Sequence, residues 1–281
     1  MTTPQMSLFS TPMGAVGAKL LHRLEEAGHA AYFVGGCVRD AMLSRPVKDI
    51  DIATSALPEE VMELYPKAIP TGIAHGTVTV PLDGWTFEVT TFRTESAYSD
   101  GRRPDAVYFV GDIREDLMRR DFTINAMAVD ARGNLVDPFG GTIDLREKRL
   151  RAVGDPAERF KEDALRMLRL VRFAAEYGFT PEAATFREAK LGAPALAKVA
   201  MERVHAELAR MLSGTGPYLA LRLLAESGLL RWTKTKLRLP DGLGLMHEAA
   251  EDPLSRLHEA PDAAARWAFW FLRMELGPEE A

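Results

Sequence analysis

Two short segments near the start of the chain carry residue types that suit phosphate and metal chemistry. They are Val34-Gly35-Gly36-Cys37-Val38-Arg39-Asp40 and Lys48-Asp49-Ile50-Asp51. A Gly-Gly turn that opens a helix offers backbone N–H groups and a positive dipole end to a phosphate. Two carboxylates spaced i, i+2 on a strand project from the same face. Because Mg²⁺ shares carboxylates with substrate phosphates, Asp49 and Asp51 are candidate ligands between a nucleoside triphosphate and an attacking hydroxyl, and the pattern indicates nucleotidyl transfer.

The order of the surrounding elements makes this pattern informative. Taken alone, a Gly-Gly is usually a tight turn and Asp-x-Asp is more often a solvated edge. Here the apolar spacing predicts a strand at 31–34, a short helix at 38–43 and, after a loop with Pro46, a strand at 49–53. This is the order in which such a motif would position a triphosphate beside its metal.

Composition limits the class of protein. The chain has 281 residues, of which 47% are hydrophobic and 27% charged, as in ordinary globular proteins. We expect a cytoplasmic protein without membrane association, because no apolar run reaches about 18 residues and no signal-peptide pattern opens the chain. The net charge of −5 still allows a nucleic-acid partner, since arginines cluster locally. The single cysteine, Cys37, excludes an internal disulfide, and its apolar neighbours favour a packing role over a nucleophilic one.

The two halves of the chain show different periodicities. Strand patterns at 77–80 and 85–92 flank Asp83-Gly84, a strong hairpin signal, so the N-terminal half is predicted to hold a mixed sheet. From Asp155 onward the apolar spacing becomes helical. Helices are predicted from Pro156 to about Tyr177, where Gly178 ends the helix, and at 181–190, 195–212, 217–227 and 263–275. The predicted fold class is α+β.

Two further segments of the N-terminal half hold charged candidates. Glu88 follows the hairpin turn, and it is either an additional acid near the metal or a solvent-facing residue of an alternating strand. The segment 119–128 places two arginines and a carboxylate before a strand-like apolar run. A guanidinium binds phosphate through two parallel hydrogen bonds, so Arg120 suits a triphosphate or a sugar edge. A structural salt bridge from Arg120 to a nearby acid is the alternative.

The helix predicted from Pro156 carries a polar stripe. At about 100° per residue, Asp163, Arg166, Arg169 and Arg172 form one slanted row. A carboxylate that accepts from an amino group, beside an arginine that donates to a ring nitrogen, would select cytosine and adenine and leave groups unpaired opposite uracil or guanine. The plainer alternative is an i, i+4 pair from Glu162 to Arg166 on a solvated face.

The chain resembles the class II tRNA nucleotidyltransferase/poly(A) polymerase family within the polymerase β-like superfamily. The resemblance spans about residues 30–212 in family order. It is carried by the segments 35–40 with 49–51, 119–128, 137–141 and 162–166, and more weakly by 203–212. It implies a polymerase β-like nucleotidyltransferase head at 13–150 with a mixed sheet, an all-helical neck at 151–230 that templates the base, and a short helical body at 231–281.

The resemblance also implies roles for individual residues. Asp49 and Asp51 would be catalytic and hold Mg²⁺, and Asp163 with Arg166 would template the base. The other nucleotide contacts implied are Gly35, Gly36, Arg39, Arg120, Arg169 and Arg172. The expected reaction is the addition of CMP and AMP from CTP and ATP to the 3′ acceptor end of tRNA.

The resemblance leaves some properties of the reaction open. An intact loop at 95–107 favours CCA or A addition over CC-only addition, because relatives that add only CC tend to lack it. Since about fifty residues remain for body and tail, we expect a split or truncated form with weaker tRNA binding of its own. The alternatives are an A-adding tRNA nucleotidyltransferase, a poly(A) polymerase and, from another class, a non-catalytic RNA-binding protein.

Overall fold

The structure is a computed structural model that describes residues 7–95, 106–235, 259–260, 262 and 265–266. This part of the chain divides into two compact units, with the boundary between Glu147 and Lys148. We call them the N-terminal unit and the C-terminal unit. The domain limits at 13–150, 151–230 and 231–281 stay predictions, and the loop centred on 96–105 and the helix at 263–275 fall largely outside the described residues.

The N-terminal unit combines helices with a mixed sheet. Its helices are α1 (Ser7–Ser10), α2 (Pro12–Glu26), α3 (Gly36–Met42), α4 (Pro58–Leu64), α5 (Ile113–Met118) and α6 (Gly141–Arg146). Its strands are β1 (Ala31–Val34), β2 (Asp51–Thr54), β3 (Ile69–Gly72), β4 (Thr77–Leu82), β5 (Trp85–Thr91), β6 (Arg93–Glu95), β7 (Val107–Phe109), β8 (Ala128–Asp130) and β9 (Leu135–Val136). Short 3₁₀ helices occur at Ile73–His75 and Thr123–Asn125.

The main sheet sets the position of the carboxylates. Among the described residues its strands follow the order β3-β4-β5-β2-β1-β8-β9. The strand β2 lies between β1, which is antiparallel to it, and β5, which is parallel. Along β4 and β5, buried residues such as Val78, Val80 and Phe87 alternate with more exposed ones. One face of the sheet therefore belongs to the core, and the other face is the more exposed one.

The predicted hairpin between β4 and β5 is confirmed. Leu82 pairs with Trp85, so Asp83 and Gly84 form a two-residue turn. Both turn residues have positive φ, 46° and 82°. A type I′ turn requires this backbone, and its twist matches that of the flanking strands. The turn therefore fixes the register that brings Glu88 to its place in the sheet.

The C-terminal unit is mainly helical. Its helices are α7 (Pro156–Glu162), α8 (Leu165–Tyr177), α9 (Ala183–Gly192), α10 (Met201–Ser213) and α11 (Pro217–Ser227), with 3₁₀ helices at Ala193–Lys198 and Leu229–Trp232. The short strands β10 (Arg149–Leu150) and β11 (Thr180–Pro181) pair in parallel. Helix α8 packs against α10 and α11, with Leu168 and Val171 fully buried. A mixed sheet followed by helices confirms the predicted α+β class.

The prediction of one continuous helix from Pro156 to Tyr177 is wrong. The helix stops at Glu162, and Asp163 is extended, with φ −141° and ψ 104°. A second helix begins at Leu165 and ends at Gly178, whose backbone is left-handed as the sequence predicts. The break has a local cause, because Asp163 Oδ1 accepts a hydrogen bond from the Leu165 N–H at 3.1 Å. An aspartate that bonds backbone two residues ahead competes with helix continuation.

Three other elements differ from their predictions. The strand predicted at 49–53 begins only at Asp51. The apolar run after Arg120 contains a 3₁₀ helix at Thr123–Asn125 before β8. The helix predicted at 195–212 is divided into the 3₁₀ helix at Ala193–Lys198 and α10, with extended backbone at Val199 and Ala200 between them. Within the described residues, none of the helices has the length and apolar character needed to span a bilayer.

Candidate active site

Asp49 and Asp51 lie at the start of β2 with a buried residue between them. Ile50 is 2% exposed, whereas both aspartates are exposed. Asp49 precedes the strand, so the expectation that both carboxylates stand on it is wrong. The alternation of exposed and buried residues nevertheless holds across the three positions. A buried isoleucine therefore anchors this segment and leaves both carboxylates on the accessible side.

The sheet register places Glu88 beside Asp51. These residues are directly paired between the parallel strands β2 and β5, and Glu88 is exposed. On the other side of Asp51, the paired residue in β1 is Val34. Paired residues of neighbouring strands point to the same face of a sheet. The structure thus gathers Asp49, Asp51 and Glu88, and a role for Glu88 in metal binding stays a prediction.

The electrostatic environment of Asp51 is unfavourable for its negative charge. Burial of the carboxyl group by surrounding protein, together with the charges of Asp49 and Glu88, raises the pKa of Asp51 to about 6 against a lowering effect of Arg120. Asp51 keeps an exposed surface although the surrounding protein reduces the hydration of its carboxyl group. Like charges held this close favour the binding of a cation.

Arg120 and Gly35 fit together at the end of β1. Gly35 has φ 73° and ψ −124°, a backbone that an L-residue adopts only with strain. A β-carbon at Gly35 would lie 2.7 Å from Arg120 Nη1. Glycine is therefore needed here both for the turn and for the approach of the guanidinium. Arg120 also lowers the pKa of Asp51, so it contributes positive charge near the carboxylates.

Asp116 holds the arginine pair and was missed in the sequence. Its side chain is only 1% exposed. Asp116 Oδ1 lies 2.9 Å from Arg119 Nη2, and Oδ2 lies 3.2 Å from Arg120 Nη2. Burial opposes the charge of Asp116, but the two arginines outweigh it and hold its pKa below the usual value. The i, i+3 and i, i+4 spacing could have revealed this contact. The salt bridge considered for Arg120 thus exists, with Asp116 as the acid.

Arg39 lies inside a network rather than on the surface. It is 7% exposed, and its Nε and Nη2 each donate to an Asp40 oxygen at 3.0 Å. Arg39 Nη1 donates to Asn125 Oδ1 at 2.6 Å, and Asn125 Nδ2 donates to Asp121 Oδ1 at 3.0 Å. These contacts tie α3 to the segment that carries Arg120. Arg39 is therefore placed to position that segment.

The donor set suits a hard divalent cation that keeps part of its own hydration. Among the described residues, no group of three or more His, Cys, Asp or Glu side chains is placed so that all of them could hold one metal ion. Mg²⁺ does not require one, because it retains waters and uses one or two carboxylates together with substrate phosphates. Exposed Asp49 and Asp51 next to Glu88 match that requirement.

In the C-terminal unit, Asp163 and Arg166 are both held by other side chains. Arg203 Nη2 donates to Asp163 Oδ2 at 2.8 Å, and Arg203 Nη1 donates to Oδ1 at 3.3 Å. Arg166 Nη1 donates to the Arg159 carbonyl at 3.1 Å and to Glu162 Oε2. The pair from Glu162 to Arg166, considered as the plainer alternative, is therefore present. Asp163 precedes α8, so the prediction that it belongs to one helical row with Arg166, Arg169 and Arg172 is wrong.

Arg172 and Arg169 lie further along α8. Arg172 is 8% exposed, and its Nε donates to Glu207 Oε2 at 2.6 Å. The Arg169 guanidinium lies 5.2 Å from the centre of the Phe173 ring, a cation–π distance. Glu207, 3% exposed, is a second buried acid that sequence reasoning missed. Arg172 therefore joins α8 to α10, and its predicted contact with a nucleotide stays a prediction.

Two other predicted features have structural roles. In the segment 137–141, Asp137 Oδ1 accepts from the Gly141 N–H at 2.7 Å and its Oδ2 accepts from Thr142 Oγ1 at 2.7 Å, which caps α6. Cys37 is buried, and its Sγ donates to the Val34 carbonyl at 3.3 Å. Burial raises the pKa of Cys37 to about 12, so the predicted packing role is confirmed.

Comparison with known proteins places both units in one family. Residues 31–151 match the Poly A polymerase head domain, and residues 178–233 match the domain described as "Probable RNA and SrmB- binding site of polymerase A". The CCA-adding enzyme of Limosilactobacillus fermentum is 48% identical over 242 residues, which is 84% of this chain and 58% of that protein. The CCA-adding enzyme of Geobacillus stearothermophilus is 45% identical over 263 residues, 93% of this chain and 63% of that protein.

A solved structure extends the match to the fold. The crystal structure of the Bacillus stearothermophilus CCA-adding enzyme in complex with CTP superposes with a TM-score of 0.81 at 38% identity, covering 96% of this chain and 68% of that one. The chain spans about three fifths of the length of the two curated relatives. On these matches and on the motifs described above, the chain belongs to the class II tRNA nucleotidyltransferase (CCA-adding enzyme)/poly(A) polymerase family.

Proposed function

We propose that this chain catalyses Mg²⁺-dependent transfer of CMP and AMP from CTP and ATP to the 3′ end of tRNA. The observation that carries the proposal is the cluster of Asp49, Asp51 and Glu88 at the central strands of the sheet, in a chain that shares the motifs of CCA-adding enzymes. Neighbouring carboxylates repel each other and raise the pKa of Asp51, which lowers the stability of the folded protein when no cation is bound. They are useful where cations and phosphates must bind.

Asp49 and Asp51 are the residues that would hold Mg²⁺, with Glu88 as a candidate third acid. When bound, the metal ions would increase the acidity of the attacking hydroxyl and neutralise charge on the leaving diphosphate. Arg120 is positioned by Asp116 and Gly35, and it would bind the triphosphate or the sugar edge. Phosphoryl transfer requires mainly positioning and charge stabilisation, which these residues would supply.

We further propose that Asp163 and Arg166 choose the base. Among the described residues, Asp163 Oδ2 accepts a hydrogen bond from Arg203 alone. A carboxylate oxygen accepts about two hydrogen bonds, so Oδ2 retains capacity for the amino group of cytosine or adenine. Arg166, held by Glu162, would donate to the ring nitrogen. Uracil and guanine present a carbonyl and a ring N–H instead, and both groups would be left without partners.

The test is incorporation of labelled CTP or ATP by the 281-residue chain into tRNA that ends before CCA, after C, or after CC. We expect Mg²⁺-dependent extension that stops at the complete CCA end, and poor use of UTP and GTP. Asp163→Ala and Arg166→Ala should relax the preference for C and A and lower turnover. Unchanged discrimination in both variants would contradict the proposed roles of these two residues.

The same experiment separates the alternative functions. The head domain matches a family model described for poly(A) polymerase, so a long A tail on any of the three acceptors would support that activity. Extension only of tRNA that ends in CC, and only with ATP, would indicate an A-adding enzyme. Binding of tRNA without any incorporation in Mg²⁺ would indicate an RNA-binding protein that retains the fold.

A further inference from the structure

Threonine hydroxyls line the sheet face next to the carboxylates. Thr79 of β4 is directly paired with Glu88, which is directly paired with Asp51, so the three side chains share one face. Thr79 Oγ1 lies 3.0 Å from Thr71 Oγ1, and Thr77 Oγ1 lies 3.0 Å from Thr90 Oγ1. We call these four residues the threonine face. Thr77, Thr79 and Thr90 are half-exposed and Thr71 is exposed, so solvent reaches this surface.

The two sides of Asp51 differ in chemistry. On the β1 side, Val34 is paired with Asp51, and the next residue, Gly35, lies close to the Arg120 guanidinium. This positive group suits a polyanion such as a triphosphate. On the β5 side, the row continues through Glu88 to the neutral hydroxyl of Thr79. A neutral hydroxyl attracts a phosphate chain less than a guanidinium does, but it both donates and accepts hydrogen bonds.

Nucleotidyl transfer requires two substrates on opposite sides of the reacting phosphorus. The attacking oxygen and the leaving oxygen lie roughly in line, so the diphosphate departs on one side and the acceptor hydroxyl approaches from the other. If Arg120 binds the triphosphate on the β1 side of Asp51, the solvent-accessible side of Glu88 and Thr79 is available to the acceptor. Neighbouring β-strands are about 4.8 Å apart, so Thr79, two strands away from Asp51, lies within about 10 Å of β2. The last nucleotides of an RNA acceptor can reach across this distance.

We propose that the threonine face binds the 3′-terminal riboses of the RNA acceptor through their 2′-hydroxyls, with Thr79 as the central contact. This inference rests on the proposed function, and it adds a binding site and a preference for RNA over DNA ends. A 2′-hydroxyl is both donor and acceptor, as is a threonine hydroxyl, and it is the group that distinguishes RNA from DNA. Ile69 of β3, which is paired with Thr79, is exposed and offers apolar surface to a base.

The test is a double-substitution cycle between the protein hydroxyl and the RNA hydroxyls. Thr79→Val replaces the hydroxyl with a methyl and keeps the β-branched shape that suits a strand. The acceptor is tRNA that ends before CCA, made either entirely of ribonucleotides or with 2′-deoxy sugars at its last two positions. The measurement is kcat/KM for the acceptor at fixed CTP. Thr79→Ser keeps the hydroxyl, and Thr180→Val, on an exposed strand of the C-terminal unit, is the matched control.

The expected result is coupling between the two changes. In the unsubstituted chain and in the Thr79→Ser and Thr180→Val variants, deoxy sugars should lower kcat/KM by about three- to tenfold, the effect of one neutral hydrogen bond. In Thr79→Val the deoxy and ribo acceptors should be used equally, with KM for CTP unchanged. Equal loss on the deoxy acceptor in all four proteins, or no loss in any, overturns the inference. Absence of incorporation in the unsubstituted chain overturns the proposed function itself.

Discussion

The acidic side chains of the two proposed sites differ in their partners. In the N-terminal unit, Asp49, Asp51 and Glu88 lie side by side, and the pKa of Asp51 is raised. In the C-terminal unit, each acid at the proposed base-reading helix meets an arginine. The pairs are Asp163 with Arg203, Glu162 with Arg166, and both Glu207 and Glu176 with Arg172.

This difference suggests two uses of acidic residues in one chain, because unpaired acids favour cation binding whereas paired acids hold arginine side chains in place. Acids that repel each other gain free energy when a cation binds, so their cost in the free protein becomes binding strength. Acids that are already paired gain little from a cation. Instead they fix the rotamers of the arginines, which is what recognition of a base edge needs.

The largest effect on incorporation is expected when Asp51 is neutralised. Asp51→Asn removes a proposed metal ligand, and since metal stabilisation is worth several kcal/mol, incorporation should fall by about a thousandfold. The same variant should be more stable, because a carboxyl whose pKa is raised on folding destabilises the folded state once it ionises. After allowance for solvent screening, we expect a gain of a few tenths to about 1 kcal/mol, measured by thermal unfolding at pH 7.5.

The pH dependence of this stability gain identifies its origin. Between the ordinary carboxyl pKa and about 6, the folded state binds more protons than the unfolded state, so the gain should grow as pH rises through this range and be complete above it. Asp83→Asn is a matched control, because Asp83 is an exposed turn residue paired with Lys19. An equal gain in both variants, or a gain that is already full at pH 3.5, would show that repulsion at Asp51 is not the cause.

Removing a partner in the C-terminal unit should have the opposite effect on stability. Arg203→Ala leaves Asp163 without its paired guanidinium, and loss of a charged hydrogen bond costs about 1.5–3 kcal/mol. We expect kcat/KM for CTP and ATP to fall by about ten- to a hundredfold, with weaker discrimination against UTP. The control is Arg187→Ala, which removes an exposed arginine of α9. If Arg203→Ala lowers stability but leaves base discrimination intact, the pair has only a structural role.

Asp116 combines the two kinds of behaviour, since a paired acid of the N-terminal unit positions a residue of the proposed catalytic cluster. Asp116→Asn keeps the shape but weakens the contacts to Arg119 and Arg120. We expect KM for CTP to rise by about tenfold, with a smaller change in kcat. The pKa of Asp116 is held low, so its stabilisation is present above the ordinary carboxyl pKa and lost as pH falls through the lower folded value. In Asp116→Asn, the free energy of unfolding should therefore be lower at neutral pH and should fall less on acidification than in the unsubstituted chain. Thermal unfolding at several pH values measures both effects.

Short-range patterns predicted much of the fold. The Asp83-Gly84 turn, the glycine end of α8 at Gly178 and the Gly-Gly turn before α3 each depend on backbone preferences of one or two residues. The break at Asp163 was not predicted, because helical periodicity continues on both sides of it. At the break, Asp163 accepts hydrogen bonds from the Leu165 N–H and from Arg203, which is forty residues away in the sequence.

The candidate site shows the same limit. The motif residues Asp49, Asp51 and Arg120 could be chosen from type and spacing, whereas the pairing of Glu88 with Asp51 depends on sheet order. The sequence does not state which strands are neighbours. Burial of Arg39 and its bond to Asn125 are likewise set by packing between distant segments. Spacing alone could have identified Asp116, because its partners follow three and four residues later.

The smallest effect is expected at Cys37, which follows the Gly-Gly turn but faces the core. Burial is the largest cause of its raised pKa, and the charge of Asp51 adds to it. Cys37→Ala should leave incorporation unchanged and cost about 1 kcal/mol in the free energy of unfolding. Iodoacetamide at pH 8 should label the unfolded chain but not the folded one. Asp51→Asn should leave the folded thiol equally unreactive, because burial remains; rapid labelling in that variant would mean that the charge of Asp51, and not packing, protects Cys37.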